Sequence, residues 1–242
     1  MEGLRPLKRW TWVGVFGPEL MLCAGDARVA GLPLRWWALA LPDGSIRQRT
    51  TFRRGGVEVS PERLRVAARD VQIDIELGDG EPIEVRSPSG RSWIWTRKRA
   101  GVPARGSVDG RALEGEAFVD ESAGHHERHT QWKWSAGVGR AQSGERVAWN
   151  LVDGIHDAPE GSERAVWVDG RPTEVGPVEF ADDLSSVGDL AFTPWAERVH
   201  RANLLILRTR YRAPFGTFSG ELPGGLRLTE GYGVMEEHDA HW

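Results

Sequence analysis

The sequence predicts an all-β chain of two antiparallel barrel or sandwich units, and three observations carry that reading. Apolar and polar residues alternate with a period of two over Val71-Gln-Ile73-Asp-Ile75-Glu-Leu77, the pattern of a strand with one buried face. Turn signals of the Asp-Gly and Pro-x-Gly kind recur at 42–44, 88–90, 108–110, 152–154, 168–170 and 223–225, as in a chain that keeps doubling back. Three Trp-x-Trp pairs, Trp10/Trp12, Trp93/Trp95 and Trp132/Trp134, put both rings on one face of a strand, whereas a helix would set them about 200° apart.

From the N-terminus, residues 5–9 and 10–23 imitate the basic and apolar regions of a secretory signal, but Pro18 and Glu19 break the apolar run, so that reading is rejected. Strands are expected at 35–41 and 46–53, then at 64–68 and 71–77, with Gly78-Asp-Gly80 turning the last into a hairpin with 83–86. Ser60-Pro61-Glu62 and Thr193-Pro194 each offer an N-cap followed by proline and allow one helical turn. The stretch 97–106, rich in charge with Gly and Pro, is expected to connect an N-terminal unit, 1–104, to a C-terminal unit, 105–242. Further strands are expected at 115–120, 124–135, 146–152, 164–169, 200–212, 217–222 and 226–236.

Composition narrows the function. The 30 glycines and 14 prolines are about 18% of the 242 residues, enough for frequent turns but below the level of low-complexity disorder. The 31 basic and 35 acidic residues are interspersed, so no extended field attracts nucleic acid or an anionic membrane. No apolar segment reaches the ~18 residues of a membrane-spanning helix. The single cysteine, Cys23, reads as a small buried hydrophobe, and a cytoplasmic location is the simplest expectation.

Familiar catalytic templates fail on spacing. There is no phosphate loop, no dinucleotide fingerprint and no Gly-x-Ser-x-Gly elbow, since Gly216-Thr-Phe-Ser219-Gly220 has its serine one place late. His126-Glu127-Arg128-His129 is one residue short of the zinc motif, and on a strand His125 and His129 would lie about 13 Å apart. No metal is therefore expected.

Parity gives a different use for that segment. If Trp132 and Trp134 point inward, so do His126, Arg128 and Thr130, a row polar at one end and aromatic at the other. Such a row suits either a ligand cavity with a few fixed polar contacts or a core in which Arg128 pairs with a buried carboxylate. The loop after 146–152 gathers Asn150, Asp153, His156 and Asp157, as a pocket rim or as an Asx-rich turn capping its own backbone. Near the C-terminus, alternation puts Tyr232, Val234, Glu236 and His238 on one face. A glutamate lodged among aromatic rings is a proton donor near neutral pH.

Six segments resemble the bacterial domain-of-unknown-function family 2804: 13–21, 120–137, 149–157, 162–167, 214–220 and 231–239, among them Gly-His-His-Glu-Arg-His-Thr-Gln-Trp-Lys-Trp and Gly-Tyr-Gly-Val-Met-Glu-Glu-His-Asp. That family is similar in fold to the lipocalin-like double-barrel group of carotenoid hydratases, natural-product cyclases and Diels-Alderases. The resemblance implies two lipocalin-like units, a ligand pocket in or between them, and no cofactor. Family members usually carry a further segment before the Arg9-Trp10 strand, so the first unit is expected to be open or incomplete. No position matches the hydratases' catalytic motif, and the candidate residues come from parity alone.

The expected function is binding of a small hydrophobic molecule, isoprenoid or polycyclic, by a carrier or by a cofactor-free enzyme of hydration, isomerisation or cyclisation. His126, Glu236 and Asp153 are the proton-handling candidates. Arg128, Thr130, Trp132, Trp134, Asn150, His156, Tyr232 and His238 are the ligand-binding ones. Two rivals stand beside it. A carbohydrate-binding or carbohydrate-active sandwich would expose its tryptophans in a groove, and a scaffold would offer bare strand edges.

Overall fold

The computed structural model describes residues 5–52, 56–204 and 207–241, and every regular element among them is a strand. The first sheet contains β1 (Lys8–Phe16), β2 (Met21–Val29), β3 (Leu32–Ala40), β4 (Ile46–Thr51), β5 (Val57–Ser60), β6 (Arg63–Ala68), β7 (Val71–Leu77), β8 (Ile83–Ser89), β9 (Ser92–Val108) and β10 (Arg111–Gly124). The second contains β11 (His129–Ala141), β12 (Arg146–Asp153), β13 (Ala165–Val168), β14 (Arg171–Glu174), β15 (Ser186–Val187), β16 (Leu190–Leu204), β17 (Leu207–Glu221) and β18 (Arg227–His241). The first runs in the order β4-β3-β2-β1-β10-β9-β7-β6-β5, with β8 also on β9; the second runs β14-β13-β12-β11-β18-β17-β16-β15. All pairings are antiparallel, and among the described strands neither sheet closes into a ring.

Both sheets curl, and the strand period of two then sorts side chains into three buried layers. In β1 to β3, Val13, Val15, Leu22, Ala24, Trp37 and Leu39 point into the first sheet's own aliphatic core, over which β5 folds back. Their alternate neighbours, among them Trp12, Phe16, Met21 and Cys23, face the second sheet. There they meet Trp134, Ala136, Val138, Phe215 and Val234. On the far side, Trp149, Leu151, Phe192, Phe218 and Met235 fill the second sheet's own core. Strands buried on both faces explain why β1 and β12 read as apolar runs rather than clean alternations.

Several expected elements are corrected. Residues 97–106, expected as a connection, lie inside the long β9, where Lys98 and Arg99 are buried by their partners. The chain crosses between the sheets at 125–128, so the expected strand 124–135 starts only at His129. Ser60 ends β5 with a turn at 61–62, and Thr193-Pro194 lie within β16 at a bulge, so neither is a helical turn. Expected strand 200–212 is divided between β16 and β17, and part of it, 205–206, lies outside the described residues.

A candidate ligand cavity between the sheets

The middle layer is not solid. A cavity of about 150 Å³ lies between the facing surfaces of the two sheets, entered near the half-exposed Phe52. The first sheet contributes the inward row Lys8, Trp10 and Trp12 of β1, Trp36 of β3, Thr96 and Lys98 of β9, and Asp120 and Ser122 of β10. Gly25 makes room for one of these rings, because a Cβ there would overlap the Trp36 indole. The second sheet adds Trp132 and Trp134 of β11, Arg198 and His200 of β16, Thr209 and Tyr211 of β17, and Glu236 and His238 of β18.

Register explains the closeness of these side chains. Trp134 lies directly opposite Glu236 and Trp132 opposite His238, while Tyr211 is opposite His238 on the other flank. Glu236 Oε1 accepts from Trp132 Nε1 at 2.9 Å, and the carboxyl is also bonded to the Tyr211 hydroxyl. Burial pushes the Glu236 carboxyl up to about 7, against the pull of these donors. His238 accepts from or donates to Thr209 Oγ1 at 2.8 Å, and burial with the nearby Arg198 charge lowers it to about 3, so it is neutral.

A second polar group holds the opposite wall. Lys98 Nζ lies 2.7 Å from Asp120 Oδ1 and 3.6 Å from Glu163 Oε2, all three side chains almost wholly buried. Burial works against the Lys98 ammonium, but Asp120 and Glu163 outweigh it and raise its pKa. Glu163 is itself pushed up to about 7 by burial, despite Lys98. Trp10 Nε1 donates to the other Asp120 oxygen at 3.0 Å, which fixes the indole against the cavity.

The loop after β12 delivers Ile155, His156 and Glu163 to the same space. Asp157 Oδ2 caps the Gly154 amide at 2.8 Å, and the buried Arg164 ties down the Asp157 and Ala158 carbonyls. His156 holds a left-handed φ of 50°, uncommon for a residue with a side chain. Its Nδ1 is 2.8 Å from Ser87 Oγ of the first sheet, and burial, then Lys98, lowers it to about 4.

Of the residues expected from the sequence, Trp132, Trp134, His156, Glu236 and His238 line the cavity. Asn150 stands behind the wall, taking the Trp134 Nε1 hydrogen bond at 2.7 Å. His126 is buried against the Trp10 ring, 5.1 Å between centroids, and burial, then Lys8, lowers it to about 3. Thr130 is half-buried and bonds the Glu127 carbonyl, and Tyr232 packs farther along β18 against Trp195. Arg128 is exposed because it belongs to the crossing segment, where strand parity does not apply. Asp153 is exposed because its neighbour Val152 takes the inward position at the end of β12.

Lys98, Asp120, Glu163, Arg198 and Tyr211 were not singled out from the sequence. For Lys98 a signal existed: the inward row Ile94, Thr96, Lys98 and Ala100 alternates through the segment taken for a connection. The histidine-rich stretch also behaves differently from expectation. His129 meets Asp239 Oδ1 at 2.9 Å and stacks on His241 with ring centroids 4.0 Å apart, a cross-strand cluster on the face of β11 and β18 turned away from the cavity. The two rings are nearly parallel at 9°, so their lone pairs run side by side rather than toward one point.

The model of the family described as Domain of unknown function (DUF2804) matches residues 26–242. The chain belongs to this family. Among solved structures, an AttH-like protein of Nitrosomonas europaea superposes with a TM-score of 0.53 at 12% identity, covering 96% of this chain and 92% of that one. CghA gives 0.50 at 8% identity, over 98% and 88%. Kievitone hydratase from Nectria haematococca gives 0.49 at 12% identity, over 95% and 88%. The first two place this DUF2804 chain in a shared two-unit β fold. No curated protein matches it in sequence.

Proposed function

We propose that this DUF2804 protein binds a small hydrophobic molecule of the isoprenoid or polycyclic class between its sheets and that Glu236 protonates it. Protonation is the opening step of a cofactor-free hydration, isomerisation or cyclisation. The observation that carries the proposal is a carboxyl near pKa 7 set into a wall of tryptophans. Trp132 Nε1 donates to Oε1 and the Tyr211 hydroxyl is also bonded to the carboxyl, so two polar neighbours hold the acid in place. Positive charge left on a carbon skeleton is stabilised by the indole faces of Trp10, Trp12, Trp132 and Trp134, each worth about 0.5–2 kcal/mol.

Free space of about 150 Å³ accepts one small ring system, and a larger ligand extends toward Phe52 at the mouth. His126 takes the part of a neutral support behind Trp10, while Asp153 and Arg128 take none. Inward tryptophans favour this reading over a carbohydrate groove. Burial pushes the Cys23 thiol up to about 11, which leaves it unreactive.

Tryptophan fluorescence of the purified protein titrated with a panel of apolar terpenoid and polycyclic ligands tests binding, with quenching or a blue shift expected. A flat response to the whole panel, with no small molecule copurifying in native mass spectra, overturns the reading. For catalysis, Glu236→Gln is expected to abolish turnover while leaving ligand affinity within about tenfold, or 1.4 kcal/mol.

A further inference from the structure

Lys98 is balanced by Asp120 and Glu163. Arg198 is different. It is 4% exposed, and among the described residues no carboxylate lies within ion-pair distance of it. Its guanidinium sits over two ring faces instead, 4.8 Å from the Tyr211 centroid and 5.7 Å from that of Trp36. One donor reaches Thr50 Oγ1 at 3.0 Å, and the buried Nε has no hydrogen-bond partner.

Ring faces offset a cation's charge but leave its N–H donors unfilled, and a buried donor without an acceptor is costly. A protein normally removes that cost with a carboxylate or a carbonyl of its own. Here the arginine instead lines the cavity. The positive field is felt by neighbours: His238 and His200 are both held low, through burial first and Arg198 second.

We infer that Arg198 is the anchor for an anionic oxygen group on the ligand, so that the molecule bound between the sheets is an apolar acid, a carboxylate or an acidic enol, rather than a neutral hydrocarbon. This rests on the cavity reading above and specifies its ligand. A carboxylate meeting a planar guanidinium gains charge-assisted hydrogen bonds whose fork geometry a lysine ammonium does not reproduce. Tyr211 links the two ends of the site, since its ring lies under Arg198 and its hydroxyl is bonded to Glu236. The acid group is thus fixed beside the residue assigned to proton transfer. The arginine the sequence offered as a ligand-binding residue, Arg128, is left in solvent by the fold.

The test is calorimetric titration of the full chain at pH 8 with 2-naphthoate and with 2-naphthamide, nearly equal in shape and differing in charge. The wild type is expected to prefer the acid by tenfold or more. Arg198→Met is expected to lose that preference and keep its affinity for the amide within about twofold, and Arg198→Lys to lose most of it although the charge remains. Circular dichroism melts check both variants, and the lysine variant decides alone if the methionine variant does not fold. Equal affinity of the wild type for acid and amide, or a preference surviving in the variants, overturns the Arg198 assignment and leaves the cavity standing. Binding of neither compound overturns the cavity and the anchor together.

Discussion

The first sheet's own core and the layer between the sheets are both buried, yet they are built from different chemistry. The former is Val, Leu, Ile and Ala around a single Trp37, with Leu64 and Ile75 fully covered. The latter mixes indoles with Lys98, Asp120, Glu163, Arg198 and Glu236, and it contains free space. Close-packed aliphatic side chains contribute stability through area removed from water, whereas buried charge costs stability unless each group is matched. The contrast separates the part of the molecule that holds the fold from the part that surrounds the free space.

The largest effect expected from breaking this division is at Lys98. Lys98→Met leaves Asp120 and Glu163 buried without their cation and should cost about 3–5 kcal/mol at pH 8 in urea unfolding. The loss should shrink at pH 5, where the Glu163 carboxyl, near 7 in the fold, is already neutral. A loss independent of pH would mean that Glu163 is not part of the group.

Ile75→Ala should cost about 2–5 kcal/mol by opening a void in the aliphatic core. Below its unfolding temperature the variant should bind apolar ligands as the wild type does. A tenfold loss of affinity would show that the two layers are coupled rather than separate.

Histidine protonation gives a smaller, graded effect. His126, His156 and His238 are held neutral near 3, 4 and 3, below the ordinary 6.5, chiefly by burial. The stability they contribute is complete above pH 6.5 and drains away as the pH falls toward those values. Each adds a slope of up to about 1.4 kcal/mol per pH unit. His238→Gln should therefore unfold less steeply with acid than the wild type between pH 6 and 4; parallel curves would place His238 in water.

A stability change of the opposite pH dependence is expected at Glu236. Its carboxyl is raised by burial from 4.5 to about 7, so the stability of its neutral form is complete below pH 4.5 and is lost as the pH rises through 7. Glu236→Gln carries no such loss and should gain on the wild type between pH 5 and pH 8. A melting-temperature gap that stays constant over that range would contradict the raised carboxyl.

Alternation made much of the fold legible. The strand over 71–77 appears with its alternating burial intact, and Val234, Glu236 and His238 share the inward face of β18. Parity held for Trp132, Trp134, Glu236 and His238 within β11 and β18 and failed at Arg128, which lies past a strand end. Lys98 was missed for a related reason: charge within β9 reads as exposure when the partners, Asp120 and Glu163, lie 22 and 65 positions further along the chain. No local pattern announces a pairing made at that separation.

By itself the sequence determined that the chain is a set of antiparallel strands and which residues share a face, because side-chain direction follows from a backbone period of two. Tertiary structure alone decided which faces meet. It set Glu236 against Trp132 and Tyr211, left Arg198 between rings, and put the free space between the sheets, because apposition of two curled sheets depends on their curvature and packing, which no single strand encodes.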